Sequence, residues 1–333
     1  NTSDPKTVVD SFLCEGAMEP LPIKRPIWDA FLFFNELDIL DVRLHELDPV
    51  VDGFVLVEGS VKFSGGSKPL HFEENKSRFS KYLHKIVHVV VDEFPFDVAQ
   101  VVRDSRARRK VQEYQRDAVL RGLTHVPHNA LILVSDVDEI PSRNTVAVLA
   151  NCQVPTPIII PICNFYYDFG WVWGHRGSRR LYPWLLGPVA AQKHELGPYT
   201  GNGVFSPESL RHHWATPGAA KFPTRTCEGW HCSYFGGLQR IRTKLGAISA
   251  QEFNTPQINN ETSILSQMTS GADILFRKDG VDGQSLSMLM QSDIRYTTGE
   301  TGERQFEGFF VPSLLVVEPQ RFEHWAPNRS WMH

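Results

Sequence analysis

An α/β fold, with a mostly parallel sheet flanked by helices and an aromatic-rich C-terminal elaboration, is predicted by three features of the sequence. Short β-branched runs alternate with segments of helical periodicity from Ile27 to Ile162. Acidic residues stand after four of those runs. Beyond Cys163 the alternation gives way to aromatic residues, Gly and Pro. Strands separated by helices return in the same direction, so the sheet they build is mostly parallel.

The apolar stretch from Ile27 to Phe34 reads as the first strand, and Leu37, Leu40, Leu44 and Leu47 mark a helix that stops at Asp48-Pro49. Phe54 to Val57 is a second, β-branched strand, followed by the turn-rich Ser64-Gly65-Gly66-Ser67 and a third strand from Ile86 to Val91. Val111, Tyr114, Ala118 and Val119 predict one long helix over Arg103 to Gly122, with Gly122 as its C-terminal cap. Ala130 to Val134 is a fourth strand, Asn144 to Leu149 a short helix, and Ile158 to Ile162 a fifth strand. Further on, helices are predicted only at Leu238 to Ala247 and Thr262 to Thr269, with Ser249 and Glu252 spaced as a capping box between them.

With 333 residues, 41% hydrophobic and 22% charged, the chain has material for a large core. A net charge of -4 offers no general attraction to nucleic acid or anionic lipid. The longest apolar runs fall far short of the roughly 18 residues a membrane span requires, and because numbering begins at Asn1 an N-terminal signal or anchor is expected to have been removed. Sequons at Asn1, Asn75, Asn260 and Asn328 suit a secretory compartment. Five cysteines, Cys14, Cys152, Cys163, Cys227 and Cys232, leave one unpaired if two disulfides form.

Ligands of open parallel sheets bind beyond the carboxyl ends of the strands. There the chain places Glu36, Glu58, Asp92 and the run Asp136-Val137-Asp138-Glu139. Gathered carboxylates repel one another and call for a cation or for hydrogen-bond donors, which a divalent metal and a ribose supply. Glu36 and Asp92 taken singly read equally well as helix caps or solvated loop charges. Asp136-x-Asp138 is sharper: on an extended segment the two carboxylates point the same way and can share one Mn²⁺ or Mg²⁺, the competing reading being a solvated turn. Neither a G-x-G-x-x-G nor a Walker sequence is present to hold a diphosphate, so basic side chains must contribute, Arg116 ahead of Arg106, Arg108, Arg109 and Lys110. Among the rings of Asn164 to Trp184, one or two at a rim suffice to bind the C–H face of a sugar. His231 in Gly229-Trp230-His231-Cys232-Ser233 is either a metal ligand, a base or a hydrogen-bonded structural residue.

The ordered set Phe34 to Leu47, Val57-Glu58, Asp136 to Pro141 and Gly229 to Ser233 resembles glycosyltransferase family 17, over roughly residues 27 to 270. The resemblance implies a GT-A fold, UDP-N-acetylglucosamine as donor, a divalent ion, and transfer to a glycan with inversion at the anomeric carbon. It also implies Asp136 and Asp138 as the D-x-D pair, Glu139 as the acidic residue after it and His231 as a third metal ligand. Residues 1–26 then form an N-terminal extension and 27–333 a single catalytic domain, with 27–150 binding nucleotide and metal and 151–333 shaping the site for a glycan such as the β-mannose of an N-glycan core. On this reading Glu36, Glu58, Arg116, Asp136 and Glu139 contact the donor. Glu252 is the preferred general base, because its segment matches family members, followed by Glu228, Glu195 and Asp168. A secretory, Golgi-lumen address fits. The rivals are a calcium-dependent glycan-binding protein without catalysis, a transferase for another nucleotide sugar or acceptor and, more distantly, a metal-dependent phosphohydrolase.

Overall fold

A computed structural model describes Cys14 and residues 18–104, 107–175, 180–200, 202–223, 227–277, 287–290 and 311–325. Arg106 and the sequons at Asn1 and Asn328 lie outside the described residues.

Strands β1 (Ile27–Phe33), β2 (Gly53–Gly59), β3 (Ile86–Val91) and β4 (Leu131–Asp136) form the parallel centre of the first sheet, in the order β4-β1-β2-β3. Their side chains alternate between two cores. Phe31, Phe33, Phe54, Leu56, Leu131 and Leu133 enter one, while Ala30, Leu32, Val55, Val57, Ile132 and Val134 enter the other. A parallel sheet covered on both faces explains why these strands read as continuous apolar runs. Leu32 is paired with Asp136 and Phe33 with Glu58, so the acidic strand ends share one edge of the sheet.

The remaining strands are β5 (Glu139–Pro141), β6 (Ile158–Ile159), β7 (Ile162–Tyr166), β8 (Trp171–His175), β9 (Arg180–Leu181), β10 (Pro183–Trp184), β11 (Val189–Gln192), β12 (Ala220–Lys221), β13 (Gly229–Ser233) and β14 (Ser287–Met290). Sheet one continues past β4 through β11, β6 and β12, with β11 antiparallel to both neighbours. A second sheet, ordered β14-β8-β7-β13-β5, carries β10 on β7 and β9 on β8.

That second sheet is the main departure from the sequence reading, which foresaw no strands beyond Ile162. The single strand expected over Ile158 to Ile162 is split, because Pro161 cannot donate to a ladder and the chain passes there from sheet one into sheet two. The helix expected from Arg103 to Gly122 starts later and is broken into Lys110–Asp117 and Val119–Gly122, with a separate turn of helix, Val98–Val101, ahead of it. Gly122 is not a left-handed cap. It closes the last turn against β2, where a Cβ would collide with Val55. The capping box at Ser249 and Glu252 does not form either: Ser249 Oγ donates to Gln112 Oε1 at 2.9 Å, and the short 3-10 turn Gln251–Phe253 has no side-chain cap. Helices Leu37–Leu47, Arg143–Asn151, Gly237–Ala247 and Glu261–Ser270 follow the predicted spacing.

Two disulfides, Cys14–Cys152 and Cys163–Cys227, leave Cys232 as a buried free thiol. Among the described residues no helix is long and apolar enough to cross a membrane.

Candidate functional site

The run Asp136 to Glu139 joins the two sheets, since β4 ends on Asp136 and β5 begins on Glu139. Three contacts pin this turn. Val137 N–H donates to the Leu32 carbonyl at 3.0 Å, and Cys232 N–H donates to the Asp138 carbonyl at 2.7 Å. From beneath, the fully buried Arg43 of helix Leu37–Leu47 donates through Nη1 to the carbonyls of Asp136, Val137 and Glu139 at 2.9, 3.2 and 2.8 Å. Arg43 is itself held by both oxygens of Asp29, at 2.8 and 2.6 Å, and by Ser135 Oγ at 2.6 Å. Gly229 lets β13 approach β5 closely, because a Cβ there would strike the backbone of Ile140 and Pro141. His231 is thereby set opposite Glu139 in the ladder.

Above the turn lies a cavity of about 240 Å³. On the sheet-one side it is lined by Leu32, Phe34, Phe63 and Gln112, and Ile248 closes it from the end of helix Gly237–Ala247. The sheet-two wall carries Tyr166, Trp184, His231 and Tyr234. Trp184 lies 4.5 Å, centroid to centroid, from the His231 ring, and Arg277 Nη2 donates to the Tyr166 hydroxyl at 2.7 Å.

Three cations face the D-x-D carboxylates, and a fourth, Arg277, lines the cavity. Arg116 Nη2 donates to Asp136 Oδ1 at 2.9 Å while its Nη1 donates to Glu208, and Arg211 Nη2 stands 3.4 Å from Asp136 Oδ2. Burial pushes the Asp136 carboxyl up, yet Arg116 and Arg211 outweigh it and hold Asp136 well below the usual carboxylate range. Lys244 Nζ donates to Asp138 Oδ2 at 2.5 Å. Burial likewise raises Asp138, and the Lys244 ammonium brings it below its ordinary value. His231 Nε2 is 3.8 Å from Asp138, and burial lowers the imidazole from its ordinary value; Lys244, in direct contact, is the nearer partner of Asp138. Arg277, the fourth cation, is paired with Asp273 at 2.9 Å.

Carboxylates at the strand ends, aromatic rings and the cations Lys244 and Arg277 thus line one cavity. Residues 8–182 match the sequence model of the family described as glycosyltransferase family 17. The chain belongs to that family. Three relatives named β-1,4-mannosyl-glycoprotein 4-β-N-acetylglucosaminyltransferase, from Rattus norvegicus, Homo sapiens and Mus musculus, are each 27% identical over 259 residues. The alignment covers 72% of this chain and 45% of each relative, so the family 17 chain spans about half the length of the curated relatives it matches.

Of the site residues expected from sequence, the fold brings Glu36, Asp136, Asp138, Glu139 and His231 together as cavity lining. Arg116 stands directly behind Asp136. Glu139 is engaged on all sides by Arg211, by Trp184 Nε1 at 2.7 Å and by Asp136 N–H at 2.8 Å, which makes it a support for the turn. Glu58 is fully buried away from the cavity, accepting from Lys68 Nζ at 3.3 Å and Phe72 N–H at 3.1 Å. Asp92 is exposed and does not line the cavity. Glu228 turns to Thr145 Oγ1 at 2.6 Å, and Glu195 closes a capping box with Gln192. Glu252 is 60% exposed, 3.8 Å from Arg108, on the segment that follows the lining residues Lys244 and Ile248.

Lys244, Arg211, Arg277 and Arg43 were missed because a basic residue within a helical or polar segment looks like any solvated charge. Donor chemistry at Asp136, Asp138 and His231 suits a hard divalent ion, but their arrangement does not: among the described residues no three His, Cys, Asp or Glu side chains form a cluster able to hold one. Each D-x-D carboxylate instead meets a cationic side chain.

Proposed function

We propose that this chain transfers N-acetylglucosamine from UDP-N-acetylglucosamine to a glycan hydroxyl with inversion, within a GT-A type fold. The observation that carries this is one cavity at the carboxyl ends of four parallel strands that combines the D-x-D carboxylates, the basic side chains Lys244 and Arg277 and aromatic walls, with Arg116 and Arg211 behind Asp136. Membership of family 17 sets the reaction class, and the relatives' name supports the N-acetylglucosaminyl group and a core β-mannose as acceptor.

The diphosphate lies against Lys244 and Arg277, the cations that line the cavity, with Arg116 and Arg211 holding Asp136 behind it. Phe34, Phe63 and Gln112 form the wall for the nucleobase, Glu36 meets the ribose, and Trp184 and Tyr166 present ring faces to sugar. In a single displacement the acceptor oxygen bonds to the anomeric carbon as the carbon–phosphate-oxygen bond breaks. The acceptor proton passes to a carboxylate, and the electron pair leaves on UDP, where Lys244 and Arg277 stabilise it. Glu252 takes the proton on this reading; it stands on the 3-10 turn Gln251–Phe253, which follows the helix that bears Lys244. Mn²⁺ or Mg²⁺ belongs to this proposal through the D-x-D pair, but every step above is performed by the chain's own groups. Two disulfides and the sequons at Asn75 and Asn260 support a secretory, Golgi-lumen setting.

The test is titration with UDP and UDP-N-acetylglucosamine, with and without Mn²⁺, followed by transfer to a panel of N-glycan acceptors. Nucleotide binding and transfer of N-acetylglucosamine in preference to glucose or galactose are expected. Calcium-dependent glycan binding without any affinity for UDP would replace the transferase with a lectin.

A further inference from the structure

Glu58 stands near the end of β2 with its carboxylate fully buried, and a buried carboxylate persists only where it is paired and hydrogen-bonded. Its Oε1 accepts from Phe72 N–H at 3.1 Å and from Lys68 Nζ at 3.3 Å, and His88 Nε2 stands 3.2 Å from Oε2. Lys68 is as deeply set, its side chain only 2% exposed. The ammonium has three protons and meets three acceptors: Glu58, the Pro69 carbonyl at 3.2 Å and the Phe34 carbonyl at 3.2 Å. The last contact crosses to another strand end. Phe34 follows β1 and lines the cavity, and its ring centroid lies 5.5 Å from the same ammonium.

Lys68 also closes a hairpin. Its N–H donates to the Ser60 carbonyl at 2.9 Å, Val61 pairs with Ser67, and Lys62 N–H donates to the Gly66 carbonyl at 2.7 Å. Phe63, the second ring of the wall assigned above to the nucleobase, stands on that hairpin. One buried lysine therefore sets two rings from separate segments, Phe34 through its carbonyl and Phe63 through the base of its hairpin. The amides of Phe34 and Asn35 donate to Glu36 Oε2 at 3.3 and 2.9 Å, so the turn that bears this cavity-lining carboxylate begins at the residue Lys68 holds. We propose that Lys68, oriented and neutralised by Glu58, is the positioning residue of the donor pocket, which holds Phe34 and the Phe63 hairpin at the spacing that takes a nucleobase. This rests on the transferase reading above. Neither Lys68 nor Glu58 lines the cavity, so the pair acts on donor binding and leaves the displacement step to other groups. An ion pair that only stabilised the fold would leave ligand affinity unaltered in any variant that stays folded.

Lys68→Met alone strands a buried carboxylate, so it is combined with Glu58→Gln, which leaves no charge in the pair. Thermal melts of the full chain confirm that the double variant is folded; if it is not, Glu58→Gln alone carries the same comparison. Hydrogen exchange in segments 34–36 and 60–68 reads the wall without any ligand, and should quicken at least about 10-fold in the double variant while β4 stays protected. Calorimetric titration with UDP should show affinity about 10-fold weaker, the scale of one base–aromatic stack. Inorganic pyrophosphate, which meets only Lys244 and Arg277, should bind within about 2-fold of wild type, and donor KM should rise with kcat retained. Unaltered exchange, unaltered UDP affinity, pyrophosphate weakened as much as UDP, or a fall in kcat with KM retained overturns the proposal. If exchange quickens but the wild type itself binds no UDP, the positioning of the wall stands and the nucleotide reading of the cavity fails.

Discussion

Arg43 does not line the cavity described above, yet its replacement should disable the site, and the size of the effect follows from its contacts. Arg43→Met removes the bidentate pair to Asp29 at 2.8 and 2.6 Å, the bond to Ser135 Oγ and three bonds to the carbonyls of the Asp136 to Glu139 turn. Both members of the ion pair are fully buried. Stranding the Asp29 carboxylate should therefore cost about 3–5 kcal/mol, and the unpaired carbonyls on the order of 1 kcal/mol more. Against a total stability of roughly 5–15 kcal/mol, the variant folds but is weakened. Its Tm should fall by roughly 6–12 °C. Arg43→Met combined with Asp29→Leu leaves no buried charge and should regain most of that stability. Turnover should stay at least about 10-fold down, because the D-x-D turn has lost the donor that fixes its three carbonyls. Urea unfolding followed by circular dichroism gives the stabilities, and the transfer assay gives the turnover. A loss below about 1 kcal/mol in the single variant, or full turnover in the double variant, would refute the positioning role.

Two further substitutions separate supporting carboxylates from reacting ones. Glu252→Gln should lower kcat by roughly 10²-fold or more with donor affinity retained, whereas Glu228→Gln, whose partner is Thr145, should change turnover by less than about 3-fold; the opposite order would move the base to the β13 side of the molecule. Asp168 is pushed up to about 7 by burial, against N–H bonds from Gly170 and Trp171. Between its ordinary value and about 7 the folded chain holds a proton that the unfolded chain has released, so the stability tied to protonated Asp168 is fully present below pH 4 and is lost as pH rises through 7. Asp168→Asn should flatten that part of the Tm-against-pH curve and raise Tm at pH 8 relative to wild type; parallel curves for the two proteins would remove Asp168 as the cause.

Strands β1 to β4 and the helices Leu37–Leu47 and Arg143–Asn151 were legible because each repeats its apolar residues with the period of its own backbone, and a parallel sheet buried on both faces leaves unbroken apolar runs. The position of Asp136 and Asp138 was legible for the same reason: they follow such a run, and strand ends are where parallel sheets bind ligands. The sequence did not disclose the second sheet, whose strands are short, interrupted by Pro161 and Pro183, and paired across long separations such as β13 with β5 and β7. Nor could it assign the cations. Arg43, Arg211, Lys244 and Arg277 come from four separate segments, and nothing local distinguishes a lysine that faces solvent from one 2.5 Å from a buried carboxylate. Periodicity is a local property and survives in the sequence, whereas the charge balance of a cavity depends on which distant segments meet there, so tertiary structure alone decided that the D-x-D carboxylates face lysine and arginine.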